Sequence, residues 1–250
     1  MDRQLSRKQA AGPAIARARP LAARKPRRRS AAGLAREVRQ AYSILRSQNG
    51  HLHWWPGHTR IEIIVGAILT QNTSWKNVEE AIRRLKAAHL LSVAALHQAP
   101  RARLEAAIRP SGYFRQKRRK LMEFFALLDR EYGGSLARMG RAPTPDLREQ
   151  LLGTWGIGPE TADSILLYAF GRPVFVVDAY TERVAHRHGW ISGKSTYSDL
   201  QQVFIRHVPA SACLYNDYHA QLVWVGKHFC RTRPQCAACP LRILLRKPAR

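Results

Sequence analysis

Acidic side chains are scarce in this sequence. Asp and Glu together number 17 among 250 residues, against 42 Lys and Arg, and the formal net charge at pH 7 is +25. A charge excess of this size is either neutralised by a polyanion or tolerated as self-repulsion. Nucleic acid is therefore the expected partner, although ribosomal proteins and basic membrane-surface proteins share such a composition.

Long apolar runs are also missing. No stretch approaches the ~20 apolar residues that a transmembrane helix needs, and no apolar segment follows the basic N-terminus as it would in a secretory signal. We therefore expect no membrane contact and a cytoplasmic location, at the nucleoid if the source is bacterial. With 45% hydrophobic residues the chain can still bury a sizeable core.

The first 29 residues contain almost no acids and show no apolar periodicity. They contain ten Lys or Arg and a single acid, Asp2, and they are rich in Ala and Pro. Such a segment cannot bury enough surface to offset its chain entropy, so the sequence predicts a disordered basic arm over 1–33. An arginine-rich, acid-poor N-terminus is also typical of an organellar transit peptide, which stays as an alternative.

Strand patterns are nearly absent too. From Leu34 onward apolar residues recur at helical spacing, and the one strand-like run, 174–177, is too short to make a sheet. The sequence therefore predicts an all-α fold.

The most informative segment is 151–162, with the sequence Leu-Leu-Gly-Thr-Trp-Gly-Ile-Gly-Pro-Glu-Thr-Ala. Gly156 and Gly158 permit positive φ and close backbone approach, and Pro159 suits a first helical turn. The pattern predicts two helices joined by a tight hairpin. Free N–H groups at the start of the second helix can hold an anion such as a DNA phosphate, although an ordinary corner between two helices could carry the same glycines.

Asp178 follows an apolar run and is predicted to start a helix. An Asp in this position caps the helix by accepting hydrogen bonds from N–H groups two and three residues on, and most such residues do nothing more. A capped carboxylate is nevertheless held in one orientation and kept ionised. It could therefore stabilise a developing positive charge.

In order and spacing these segments resemble the helix-hairpin-helix DNA glycosylases related to endonuclease III. The resemblance covers about 35–240 and rests on the hairpin, 168–173, 176–178, 69–73 and the terminal cysteines. It implies two helical lobes around a central cleft: a six-helix lobe over 57–171, and a second lobe from 34–56 plus 172–250. It also implies a monomeric base-excision repair enzyme that acts on damaged bases in double-stranded DNA.

The family's catalytic aspartate matches Asp178, which would stabilise the oxocarbenium ion and help water attack C1′ of a flipped nucleotide. Bifunctional members carry a lysine at position 160 that attacks the sugar and then cleaves the strand. This chain has Glu160 there, so the resemblance implies a monofunctional enzyme. A bifunctional glycosylase for oxidised pyrimidines or mismatched bases, and a non-catalytic DNA-binding module, are the alternatives.

The segments 53–56 and 69–75 are similar to the 3-methyladenine glycosylase branch of the family. Aromatic residues of that branch sandwich the alkylated base, and the matching positions here are Trp55, Pro56 and Trp75. An alkylated purine is cationic and gains from stacking on indole faces. The expected substrate is therefore an alkylated purine such as 3-methyladenine, although each Trp could instead pack in the core.

DNA contacts are expected on both sides of the hairpin. Gln71 matches the position that fills the gap left by a flipped base, although a helix-terminal Gln could equally be bonded to backbone. The remaining expected contacts are Gly156, Gly158 and Thr161 on the hairpin, and Lys117 in the basic run 115–120. That run could also be a solvated face.

Cysteine is rare, with four residues in the chain, which argues against a disulfide framework. Cys230, Cys236 and Cys239 resemble the family's 4Fe-4S motif, but the first spacing is one residue short and Leu245 occupies the fourth position. The resemblance predicts a 4Fe-4S cluster with three of its four ligands. The fourth could be Cys213, an external thiolate or water, or His228 if the metal were zinc; the site could also be lost.

Overall fold

The computed structural model describes residues 30–52, 54–55 and 57–245. Most of the predicted arm and the predicted pocket residue Pro56 lie outside these residues. The first helix begins at Ala31, so residues 31–33 of the predicted arm are helical. Its N-cap is Ser30, whose hydroxyl accepts a hydrogen bond from the N–H of Gly33 at 3.1 Å.

The described residues form twelve α-helices joined by short connections. They are α1 Ala31–Asn49, α2 Arg60–Leu69, α3 Trp75–Ala87, α4 Val93–Gln98, α5 Arg101–Ile108, α6 Phe114–Tyr132, α7 Leu136–Met139, α8 Thr144–Leu152, α9 Pro159–Ser164, α10 Ala179–Arg187, α11 Tyr197–Ile205 and α12 Ala212–His228. Helix α9 continues as a π-helical segment over Ile165–Ala169, and 3₁₀ turns cover Arg109–Ser111, Cys236–Ala238 and Pro240–Leu244.

Two clusters of buried apolar side chains divide the fold. The first is built by α2 to α9 around residues such as Ile64 and Phe124. The second is built by α1, α10 to α12 and the C-terminal 3₁₀ turn around residues such as Phe175 and Tyr218. Trp55 and Ile63 pack against both clusters. The domain boundaries near 57 and 171 stay a prediction.

Within the described part of the chain no strand is present, so the predicted all-α class is confirmed. The run 174–177 is extended, and side chains satisfy its backbone. Gln201 Nε2 donates to the carbonyl of Phe175 at 2.7 Å, and the N–H of Val177 donates to the hydroxyl of Tyr197 at 3.3 Å. None of the helices described is long and apolar enough to cross a membrane.

Candidate active site

A cavity of about 500 Å³ lies between the two clusters. Its walls come from both sides: Glu160 from α9, Trp75 from α3, Asp178 at the start of α10 and His219 from α12. Trp55 also lines it. The fold therefore brings the predicted carboxylate, the position of the missing lysine and both described aromatic pocket residues into one cleft.

Asp178 is the N-cap of α10, as predicted. Its Oδ1 accepts a hydrogen bond from the N–H of Thr181 at 2.7 Å, and its Oδ2 lies 3.6 Å from Nε2 of His219. Burial by itself would raise the pKa of Asp178. His219 and the Thr181 N–H outweigh this effect, so the pKa lies below its usual range and the carboxylate is ionised at neutral pH.

Glu160 lies in the first turn of α9 and faces the same cavity. The side chain reaches solvent, but the cleft walls remove part of its hydration. This desolvation and the negative charge of Asp178 raise the pKa of Glu160, and His219 opposes the shift only in part. The pKa values of the two carboxyl groups in the cleft are thus shifted in opposite directions.

Trp55 and Trp75 meet at the cavity wall. Their rings contact edge to face, with centroids 5.1 Å apart and planes at 68°. Trp55 also stacks on Tyr168, with ring centroids 4.7 Å apart, and Trp75 Nε1 donates to Glu79 at 2.9 Å. Both predicted pocket aromatics therefore line the cavity, but they touch each other. A base could stack between them only after the rings separate.

The hairpin joins α8 to α9, and Pro159 begins α9 as predicted. Gly156 has φ +80°, and a Cβ there would lie 2.6 Å from the side chain of Lys120. Gly158 differs from the expectation, because its φ of −91° and ψ of 178° are ordinary extended backbone. A Cβ on Gly158 would meet open space. Only Gly156 therefore needs glycine for conformation and close approach.

Gln71 is anchored to the hairpin. Its Nε2 donates to the carbonyl of Gly156 at 3.1 Å and to the hydroxyl of Thr161 at 2.9 Å, and its Oε1 accepts from Lys120. Gln71, Gly156, Gly158 and Thr161 line a second cavity of about 480 Å³. Four of the predicted DNA-contact residues thus lie together.

The prediction that Lys117 contacts DNA is wrong for this conformation. The residue is 2% exposed, and its ammonium group donates inward to the carbonyls of Leu69 at 2.9 Å and Ser111 at 2.5 Å. Burial and the charge of Lys120 lower the pKa of Lys117 to about 8. Lys117 therefore ties α6 to the end of α2 and cannot reach a phosphate.

Two more residues, Lys120 and Tyr113, lie beside Gln71 and were not among the predicted DNA contacts. Lys120 lines the cavity beside the hairpin, and Tyr113 is 67% exposed with φ +44° next to Gln71. An exposed aromatic ring in a left-handed backbone conformation is uncommon. The glycine before Tyr113 is the available sequence signal for a turn there, but exposure of the ring depends on the fold.

The cysteines do not assemble the predicted four-ligand site. Cys213 lies in the first turn of α12 and Cys230 just beyond its end, so about 17 residues at ~1.5 Å each separate them by ~25 Å. The suggestion that Cys213 is the fourth ligand is therefore wrong. Among the described residues no group of three or more His, Cys, Asp or Glu side chains could hold a metal ion.

Arginine side chains hold the cysteine loop instead. Arg187 donates to Sγ of Cys230 at 3.3 Å and to the carbonyl of Thr232 at 3.0 Å, and Arg183 donates to the carbonyl of Cys230. Burial, together with the neighbouring thiols, raises the pKa of Cys239. The described residues therefore show no complete ligand set for a 4Fe-4S cluster, and the predicted cluster stays a prediction.

Sequence and structure comparisons agree with this geometry. Residues 65–209, which include the hairpin and Asp178, match the HhH-GPD superfamily of base excision DNA repair proteins. A candidate DNA repair glycosylase of Methanocaldococcus jannaschii is 42% identical over 207 residues, which cover 82% of this chain and 94% of the archaeal protein. Endonuclease III of Bacillus subtilis is 29% identical over 149 residues, which cover 59% of this chain and 64% of that enzyme.

Two solved structures share the fold. The H. pylori 3-methyladenine DNA glycosylase bound to 1,N6-ethenoadenine matches with a TM-score of 0.67 at 27% identity, over 78% of this chain and 97% of that chain. A non-covalent endonuclease III–DNA complex matches with a TM-score of 0.72 at 23% identity, over 85% and 95%. The two-lobed fold predicted from the sequence is therefore confirmed. The chain belongs to the HhH-GPD superfamily of base excision DNA repair proteins, in which it is a DNA glycosylase related to endonuclease III.

Proposed function

We propose that the protein is a monofunctional glycosylase that removes alkylated purines such as 3-methyladenine from double-stranded DNA. The observation that carries this proposal is the pair of carboxyl groups in the cleft. Asp178 is ionised and fixed, and Glu160 occupies the position at which bifunctional relatives carry a nucleophilic lysine. A carboxylate at position 160 cannot form a Schiff base with the sugar.

The reaction breaks the C1′–N bond of a flipped nucleotide, and the bonding electrons leave with the base. A purine methylated at N3 is already cationic in the nucleotide, so it departs as a neutral base without a proton from the protein. Asp178 faces the positive charge that develops on the sugar. Water then bonds to C1′, and Asp178 can accept the proton that the water loses.

The aromatic wall supports a cationic base as substrate. Trp55 and Trp75 line the cavity with electron-rich rings, to which a positively charged purine is attracted more strongly than a neutral one. The H. pylori relative is a 3-methyladenine glycosylase whose structure holds 1,N6-ethenoadenine. Its likeness to this chain favours alkylated purines over oxidised pyrimidines.

A bifunctional glycosylase is the second candidate, because Lys76 and Lys227 also line the cavity. Either amine would have to attack C1′ in place of water. Lys227 already lies over the ring of Trp54, 5.3 Å from its centroid. Neither lysine occupies position 160, so we favour hydrolysis.

DNA would bind across the hairpin face. The exposed backbone of Gly158 and the start of α9 suit a phosphate, and Arg119 lies over the exposed ring of Trp155 at 3.9 Å. We place Gln71 and Tyr113 at the gap left by the flipped nucleotide. Gln71 would exchange its contacts with the hairpin for the unpaired base, and the ring of Tyr113 would stack there. A monomer suffices for this arrangement.

The deciding experiment is base release under single-turnover conditions from duplexes that contain 3-methyladenine, 1,N6-ethenoadenine, thymine glycol or a mismatched adenine. We expect the fastest release for the cationic 3-methyladenine, an intact abasic strand and no adduct after borohydride treatment. Asp178→Asn is the control for contaminating glycosylases. Strand cleavage with an adduct that disappears in Lys76→Met or Lys227→Met would replace this proposal with the bifunctional one.

A further inference from the structure

His219 and Tyr168 lie next to the carboxylate of Asp178. His219 comes from α12, is 4% exposed and forms part of the cavity wall. Its Nε2 is 3.6 Å from Oδ2 of Asp178, and its Nδ1 is 2.6 Å from the hydroxyl of Tyr168. Tyr168 is itself buried in the π-helical segment that follows α9. Three polar groups from three elements thus form a continuous row.

The geometry of the row fits an imidazole whose ring proton is on Nε2. When the hydroxyl of Tyr168 donates to Nδ1, the ring proton resides on Nε2, which faces Asp178. Nε2 is buried and has no hydrogen-bond partner within the described residues. A buried donor without a partner costs free energy, and one that points at a catalytic oxygen across a short gap indicates a functional use.

The two oxygens of Asp178 are approached from different sides. The N–H of Thr181 holds Oδ1 at 2.7 Å, and His219 faces Oδ2. A shift of about half an ångström would bring Nε2 into ordinary hydrogen-bond distance. The carboxylate would then be held at both ends, so it could not turn away from the sugar.

We propose that His219 is the positioning residue of the Asp178 carboxylate, and that Tyr168 sets the tautomer in which His219 does this. The proposal rests on the proposed hydrolysis, in which Asp178 acts on the sugar and on water. His219 does not touch the substrate in this assignment. It acts through Asp178, and Tyr168 acts through His219.

The surroundings of Asp178 set the sign of the expected change. The titratable groups that line the same cavity are His219 and Lys227 from α12, Glu160 from α9, Lys76 from α3 and Tyr180 from α10. The buried hydroxyl of Tyr168 also interacts with the charge of Asp178. Burial and the charge of Glu160 disfavour the ionised form, whereas His219 favours it. Loss of His219 should therefore raise the pKa of Asp178 and move the acid limb of the rate profile to higher pH.

Two amide substitutions separate the parts of the imidazole. In His219→Gln the side-chain amide reaches the place of Nε2 and can still donate to Asp178. In His219→Asn the shorter amide reaches only the place of Nδ1, so the contact with Tyr168 can persist while the contact with Asp178 is lost. We expect the Gln variant to stay within about threefold of wild type. We expect the Asn variant to lose roughly tenfold or more at neutral pH, the equivalent of one hydrogen bond to a charged group.

The pH profile is the readout that a merely structural role would not move. The acid limb of the single-turnover rate should shift upward by about one pH unit in His219→Asn, less in Tyr168→Phe, and little in His219→Gln. His188→Asn is the matched control, since His188 is also buried but lies at the far end of α10. Equal losses in the Gln and Asn variants with an unmoved acid limb would overturn the proposal, as would full activity of the Asn variant.

A second measurement is independent of catalysis. Titration of the Asp178 carboxyl ¹³C signal in the free protein should give a higher midpoint in His219→Asn than in wild type or His219→Gln. An unchanged midpoint would overturn the positioning role even if the enzyme releases alkylated purines. If wild type releases no base from any substrate, the proposed function fails, and the carboxyl titration still decides whether His219 governs Asp178.

Discussion

Each of the two walls of the cleft presents a carboxyl group, Asp178 on one and Glu160 on the other, and the surroundings shift their pKa values in opposite directions. On one wall the helix cap and His219 keep Asp178 ionised in spite of burial. On the hairpin wall Glu160 has no described cationic partner side chain at hydrogen-bond distance, and its pKa is raised. Environments that separate the pKa values of two neighbouring carboxyl groups often give these groups different catalytic roles.

The difference also separates chemistry from binding. The Asp178 wall holds one carboxylate in a fixed orientation, which suits stabilisation of a cationic sugar. The hairpin wall offers backbone, the amide of Gln71 and the ammonium of Lys120, which suit the phosphates and bases of any sequence. Substitutions on the two walls should therefore have different kinetic signatures.

The largest effect is expected from Asp178→Asn. Loss of the charge that faces the developing cation should reduce base release at least a thousandfold, or about 4 kcal/mol. Duplex affinity should be unchanged or tighter, because removal of a negative charge near phosphates cannot weaken electrostatic binding. Single-turnover kinetics and gel-shift titration measure the two quantities. A variant with wild-type turnover would end the catalytic assignment.

A smaller effect is expected from glycine substitutions on the hairpin wall. Gly156→Ala introduces a Cβ at φ +80° and against Lys120, so it should cost about 1–3 kcal/mol of stability and weaken binding to damaged and undamaged duplexes alike. Gly158→Ala is the matched control, because the backbone there is extended and the space is open. Urea unfolding and fluorescence anisotropy check both variants. Equal destabilisation by the two substitutions would contradict the geometry.

The hairpin wall was predictable because its signals are local. The glycine spacing, Pro159 and the apolar helices on either side all fall within a few turns of chain, and the structure reproduces the arrangement. Asp178 was predictable for the same reason, since a cap announces itself through its neighbours. What these local signals did not show was the conformation of Gly158, which is set by the path of the turn.

The opposite wall depends on contacts between distant segments. His219 reaches Asp178 because α10 packs along α12, and no spacing in the sequence announces that contact. The error on Lys117, by contrast, was avoidable. It stands four residues before Leu121 and seven before Phe124, on the buried stripe of α6. Helical periodicity therefore places its side chain inward, whatever its charge.

The ligand set of the predicted cluster could not be derived from the sequence for a third reason. Its three cysteines resemble part of a metal motif, but a ligand set also needs a fourth donor at the right distance. The length of α12 removes Cys213 from consideration, and Arg183 and Arg187 make the contacts that hold the loop. A motif with one position missing therefore did not show which side chains hold the loop.

The smallest effect is expected from Glu160→Gln, which tests whether the walls differ as described. The folded-state pKa of Glu160 is raised, so folding loses stability as pH rises above the ordinary glutamate pKa of ~4.3. The Gln variant should therefore melt at a higher temperature than wild type at neutral pH, and the difference should vanish as pH falls below that value.

Asp178→Asn should change the melting temperature in the opposite direction. The lowered pKa of Asp178 adds stability above the ordinary aspartate pKa of ~3.9, and this stability is lost as pH falls through the folded-state pKa. Thermal melts of both variants from pH 3 to pH 8 measure these differences in melting temperature. The rate of base release by Glu160→Gln should stay within about fivefold of wild type, because a residue that does not attack the sugar contributes only through the electric field of its charge. Melting differences of the same sign in both variants would mean that the two carboxyl groups do not occupy opposed environments.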